Sequence, residues 1–211
     1  AEDANAVAAF VERSAALPLL FAAGRTYSYS NIGTVWAGRM VEILTGLSWY
    51  QALHQHIAAP LDLPTLGVFP YGSSTTPHIA VGHVVDAAGR LSRVGHPGTP
   101  RAIGPAGGIV STALDVARFG RALAAAGGLL APATATLSQQ VRVRSPNAWH
   151  HPQAQGLGWS IEAMADGNKV LGINGGGHDQ GSFLRAIPSR DVTMAIRTNG
   201  GQADLLAADI L

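Results

Sequence analysis

The chain has 211 residues, 14 Lys and Arg against 13 Asp and Glu, 47% apolar residues and 13% charged ones. That composition excludes disorder, and a net charge of +1 with scattered arginines argues against nucleic acid or an anionic membrane as the main partner. Cysteine is absent, which removes disulfides, thiolate metal sites and cysteine nucleophiles.

In chain order, the opening stretch "AEDANAVAAF" has no basic region ahead of its apolar residues, so no signal peptide is legible and no compartment is indicated. A helix is predicted from Asp3 to Leu17, with Phe10, Val11 and alanines on its buried side and Pro18 at its end. Ser30 is a plausible N-cap for a helix from Asn31 to Leu44, in which Ile32, Trp36, Met40, Ile43 and Leu44 form an apolar stripe. Thr45-Gly46 stops that helix, and a third one runs from Ser48 to Ala59, ahead of Pro60. Residues 1–66 therefore read as part of a helical lobe.

Residues 67–211 change in texture. Short β-like runs such as His78–Asp86 and Gly89–Val94 sit among glycines and prolines, and His96–Gly108 reads as a rim loop. Ser111 or Thr112 caps a helix, Thr112 and Asp115 have capping-box spacing, and Gly127-Gly128 closes it. The longest uncharged stretch, Ala122 to Val141, is broken by those glycines and Pro132, so it reads as a helix end plus a loop, not a membrane span. Ser145–Gly156 reads as a second rim loop. Four β-like segments follow: Gly156–Met164, Asn168–Ile173, Ser182–Ile187 and Asp191–Asn199. Their connections are too short for helical crossovers, which predicts antiparallel pairing. A last helix begins near Gln202. The layout is α+β, an antiparallel sheet flanked by helices plus a mostly helical lobe, forming one compact unit.

Several residue groups invite a functional reading. Tyr29-Ser30-Asn31 alone reads as a helix cap beside a buried tyrosine, or as one third of a catalytic site. No G-x-S-x-G elbow occurs. No S-x-x-K occurs either, because three residues before the only lysine, Lys169, stands Asp166; a Ser/Lys pair needs the two one helical turn apart so that the amine can take the hydroxyl proton. His54 and His56 face different ways on a helix, and His83 and Asp86 point to opposite faces of a strand, so neither pair makes a metal site. "NGGGHDQG" is followed by a strand instead of the helix a phosphate loop requires. Trp36, Phe119 and Trp159 are read as core.

Four ordered blocks carry a more specific signal: "AAGRTYSYSNIGTVWAGRMVEILTG", "GPAGGIVSTALDVARFGRALAAAGG", "GLGWSIE" and "GGGHDQGSFLRAIPSRDVTMAIRTNGG". Together they resemble the serine β-lactamase and penicillin-binding-protein superfamily, on the branch of class C β-lactamase-like esterases, D-aminopeptidases and DD-carboxypeptidases. The resemblance implies a β-lactamase/DD-peptidase-like fold whose N-terminal part, carrying the S-x-x-K nucleophile and base, precedes Ala1. It implies that Tyr29 is the general acid/base, Asn31 the ligand of a substrate amide, and His178 an orienting and electrostatic group on an H-x-G-like strand. Backbone N–H groups just after His178 would complete an oxyanion hole, which makes Asp179, Gln180 and Gly181 the substrate-binding residues. Gln180 stands where H-x-G places glycine, and "QGS" is a shortened link to the next strand.

The implied activity is serine hydrolysis of an ester, amide or lactam through an acyl-enzyme, without metal or organic cofactor. The implied partners are a small-molecule or peptide substrate and the absent segment as a separate chain. A catalytically inert sensor and an acyl transferase or peptide cyclase are the alternatives on the same scaffold.

Overall fold

A computed structural model describes residues 5–68, 79–94, 99–148, 151–177, 179–200, 206 and 210, with side chains 145–148 and 151–153 excepted. The chain divides into two compact units: Ala1–Ala22, Ser28–Ile79 and His96–Thr112 form the first, and Ala23–Tyr27, Ala80–Gly95 and Ala113–Leu211 the second.

The first unit is mostly helical. Helix α1 (Ala6–Ser14) buries Val7, with Phe10 and Val11 half-buried one turn on along the same face, as the sequence suggests. Helix α2 (Asn31–Thr45) starts where its cap does: Ser30 Oγ accepts the Gly33 N–H at 3.0 Å. It ends at Gly46, whose φ of +70° suits glycine and whose N–H reaches Glu42 O at 2.9 Å. Ser48 then caps α3 (Trp49–Leu53) in a reciprocal box with Gln51. The expected helix from Ser48 to Ala59 continues past Leu53 in a wider form, with the Ala59 N–H bonded to His54 O at 2.9 Å.

Glu42 fastens α2 to α3. Its buried carboxylate accepts Arg39 Nη1 and the Trp49 N–H, each at 3.0 Å. Along α2, Val35, Gly38 and Glu42 form the buried face, and Gly38 lies so close to Pro105 that no side chain fits between them. Pro105 belongs to the short α4 (Gly104–Gly107). Strand β1 (Gly67–Val68) pairs with β4 (Ile109–Val110).

This arrangement corrects one expectation. The stripe read from the periodicity lies on the open side of α2: Ile32, Trp36, Met40, Ile43 and Leu44 are 38%, 40%, 59%, 66% and 80% exposed. In this chain Trp36 is therefore outside the buried core, and its indole N–H donates to Ser14 Oγ at 2.9 Å. The close approach permitted by Gly38 decides which face packs, and a hydrophobicity pattern does not register a missing side chain.

The second unit is built on a six-stranded antiparallel meander: β5 (Val143–Ala148), β6 (His151–Gln155), β7 (Ser160–Ala163), β8 (Lys169–Gly176), β9 (Gly181–Ile187) and β10 (Val192–Thr198). The four predicted strands are β7 to β10, paired antiparallel as expected. Helix α5 (Ala113–Ala124) packs on the sheet, and the core comprises Ala124, Trp159, Ile161, Leu171, Leu184 and Ala186, with Phe119 partly buried against it. Gly127 turns the chain out of α5 region with φ +77°, and the Leu129 N–H closes on Ala122 O at 2.8 Å.

Two segments expected to be loops are regular. Residues Pro132–Ser138 form helix α6, with proline in its first turn. The supposed rim loop after Arg144 contains β5 and β6, whose register slips between Ser145 and Ala148. Pro146 and Pro152, which have no N–H to give a ladder, fall at that slip. Prolines inside the run are why the pattern reads as loop.

A separate hairpin, β2 (Gly82–Val85) and β3 (Leu91–Val94), is closed by Asp86, whose Oδ1 accepts the Ala88 and Arg90 N–H groups at 2.9 Å each. Among the described residues no helix is long and apolar enough to cross a membrane. The last helix expected from Gln202 lies largely outside the described residues.

Candidate active site

Tyr29, Ser30 and Asn31 divide their work. Ser30 is extended (φ −149°, ψ 109°) and its hydroxyl serves the helix as cap. That conformation throws the residues on either side of it together: Tyr29 Oη donates to Asn31 Oδ1 at 2.8 Å. The phenol is 70% exposed, so no packing requirement explains it. With its oxygen receiving the phenol, the Asn31 carboxamide presents its NH2 group as donor for a carbonyl oxygen. A phenol hydroxyl and a carboxamide therefore sit side by side at the start of a 15-residue helix.

In the second unit, β8 and β9 are joined tightly. Gly176 pairs with Gly181, and the Gly177 N–H bonds to Gln180 O at 2.9 Å. Only His178 and Asp179 separate that last bonded pair, so the shortened link seen in the sequence is a tight connection. His178 lies outside the described residues. Gly181 is the first residue of β9, with Thr198 opposite it on β10. Asp179 is 8% exposed and packs over Gly82. Gln180 Nε2 donates to Ala80 O at 2.9 Å. The side chains of Asp179 and Gln180 are thus engaged with the segment leading into β2.

That segment was missed from the sequence. Ala80 to His83 is held by the Asn199 side chain, which donates to Val81 O at 3.1 Å, and by the His83 N–H, which donates to Asn199 O at 2.8 Å. The available signal was a single glycine inside the β-like run "HIAVGHVVD", which marks close backbone approach. Asp166, three residues before Lys169, turns to its own hairpin. It accepts the Asn168 N–H at 3.0 Å and Asn168 Nδ2 at 2.8 Å, and it pairs with Arg190. The Asn168 backbone and side-chain bonds, then Arg190, hold its carboxyl below the ordinary 3.8.

A family model described as Beta-lactamase matches residues 1–210. The chain is 33% identical over 201 residues to penicillin-binding protein 4 of Amycolatopsis lactamdurans, covering 87% of this chain and 50% of that protein. Among solved structures, that of SurE is similar at TM-score 0.75 and 25% identity, over 95% of this chain and 47% of the other. A D-stereospecific amidohydrolase from Streptomyces sp. is similar in fold at TM-score 0.73 and 24% identity, over 87% and 54%. The mixed helical and antiparallel architecture is that of the β-lactamase and penicillin-binding-protein fold. The chain belongs to the Beta-lactamase family, whose members are serine hydrolases. It spans about half the length of the curated relative it matches.

Proposed function

We propose that these residues belong to a serine hydrolase that opens an ester, amide or lactam carbonyl through an acyl-enzyme. The observation that carries this is the 2.8 Å bond from Tyr29 Oη to Asn31 Oδ1 at a helix start whose capping is done by Ser30 alone. Stability of the cap requires neither flanking side chain, so the pair is available for chemistry.

In this reading the nucleophilic serine and its lysine lie on a segment that precedes Ala1. The serine oxygen bonds to the substrate carbonyl carbon while its proton passes to the base. Tyr29 delivers a proton to the leaving oxygen or nitrogen as the carbon–heteroatom bond breaks. Asn31 donates to an amide oxygen of the substrate, and His178 orients it. Water, with its proton taken by the same groups, then releases the acid. The open apolar face of α2, from Ile32 to Leu44, supports a preceding segment. A helix in water that leaves five large apolar residues of one face at 38–80% exposure has a surface suited to further polypeptide.

The test is covalent labelling of the full-length protein by a fluorophosphonate or a penicillin, read by intact mass. One adduct on a serine upstream of Ala1 is expected, together with hydrolysis of a simple ester. Absence of both would leave an inert binding protein on this fold. If an added amine intercepts the acyl group faster than water does, the enzyme is a transferase.

A further inference from the structure

Four consecutive residues at the base of the β2–β3 hairpin are each gripped from elsewhere in the second unit. Ala80 O takes the Gln180 side chain, and Val81 O takes that of Asn199. Gly82 lies under Asp179, and His83 bonds through its N–H to Asn199 O. Asn199 follows Thr198, which pairs with Gly181. The strap therefore links the β8–β9 connection to the end of β10.

Asp179 is the unexpected member. It is 8% exposed, and its Oδ2 is buried without a hydrogen-bond partner among the described residues. Leaving such an acceptor unsatisfied costs about 1–3 kcal/mol. An apolar residue of similar size would avoid that cost, so stability does not account for the carboxylate. It sits in a socket that glycine makes: a Cβ at position 82 would overlap Asp179 at Cβ, Cγ and Oδ2.

We propose that Asp179 and Gln180 are positioning residues. Through their side chains they clamp the β8–β9 connection onto Ala80–Gly82 and so fix the backbone N–H groups after His178, without touching substrate. The inference rests on the serine-hydrolase reading above. The physical reason is leverage. Among the described residues, the β8–β9 link has besides these side chains the Gly177 to Gln180 bond and its flanking ladder, and oxyanion donors misplaced by about 1 Å forfeit most of their effect.

The experiment uses the full-length protein, with kcat and KM for an ester and the rate of acylation by a penicillin. If the wild type forms no adduct and hydrolyses no ester, the hydrolase reading and this inference both fail. With an active wild type, Gln180→Ala should lower kcat about tenfold or more while KM stays within about twofold. Gln180→Glu, which has the same shape but no N–H for Ala80, should lose as much. Asp179→Gly and Gly82→Ala should each lower kcat, and the double variant should be no worse than the poorer single, because glycine at 179 removes the overlap. Retention of kcat in Gln180→Ala and Asp179→Gly overturns the proposal. So does a rise in KM at unchanged kcat, which would mean that these side chains bind substrate, or an additive double variant. Should Gly82→Ala not fold, the two Gln180 variants decide alone.

Discussion

Ser30 and Tyr29 are neighbours with separable energetics. Ser30 Oγ satisfies one of the N–H groups that a helix start leaves unpaired. Ser30→Ala should therefore cost about 1 kcal/mol, lowering the melting temperature by about 2–4 °C in a chain of this size. Calorimetry would check it. Tyr29→Phe removes an exposed hydroxyl bonded to Asn31 and should leave the melting temperature unchanged. If Tyr29 carries the proton, the same variant of the full-length enzyme loses about 10²–10⁴ in kcat. The two substitutions should thus move different observables. The cap was legible in the sequence because its hydrogen bond is local, spanning three residues. The Tyr29–Asn31 contact was not legible, since it depends on the extended backbone at Ser30.

At the scale of elements, α5 approaches the sheet through Gly120, whose missing side chain lets Leu184 of β9 lie against the helix axis. Leu184 is 3% exposed and has nowhere to move. Gly120→Ala should destabilise by about 1–3 kcal/mol through overpacking, despite alanine's better helix propensity. Added to Leu184→Ala, it should cost less than it does alone, because the cavity left by leucine accepts the new methyl. Chemical denaturation of the four proteins gives the comparison. Strands β7 to β10 and helices α2 and α5 were visible in the sequence because each is a continuous pattern between turn signals. Strands β5 and β6 were not, because their prolines sit at a register slip that only pairing reveals. The socket of Asp179 at Gly82 joins residues 97 positions apart, a distance no local pattern spans.

At the scale of the whole molecule, charge and apolar surface make the remaining predictions. Asp166 has its carboxyl held below 3.8 in the folded protein by Asn168 and Arg190. A depressed carboxyl stabilises the fold fully above its unfolded value, and that contribution is lost as pH falls below 3.8 toward the folded one. Asp166→Asn should therefore lower stability at neutral pH, where the carboxylate's contribution is full, and flatten the acid limb of a stability-against-pH curve, the two proteins converging as pH falls below 3.8. The open face of α2 predicts an effect that depends on context. In the isolated 211-residue chain, Met40→Glu with Ile43→Lys should reduce dye binding and self-association without lowering stability. In the full-length protein the same pair should destabilise, because the preceding segment would then cover that face.

By itself the sequence determined the class of fold, the Ser30 cap and Gly46 stop of α2, four of the six antiparallel strands and the residue types proposed for the candidate site. All of these rest on short-range geometry or on ordered motifs. Only the tertiary structure decided which face of α2 is buried, that two proline-broken stretches are strands, and that Asp179 and Gln180 turn toward the base of a hairpin. Each of those outcomes depends on what lies across space from a residue, and above all on glycines, whose contribution is the close approach of something else.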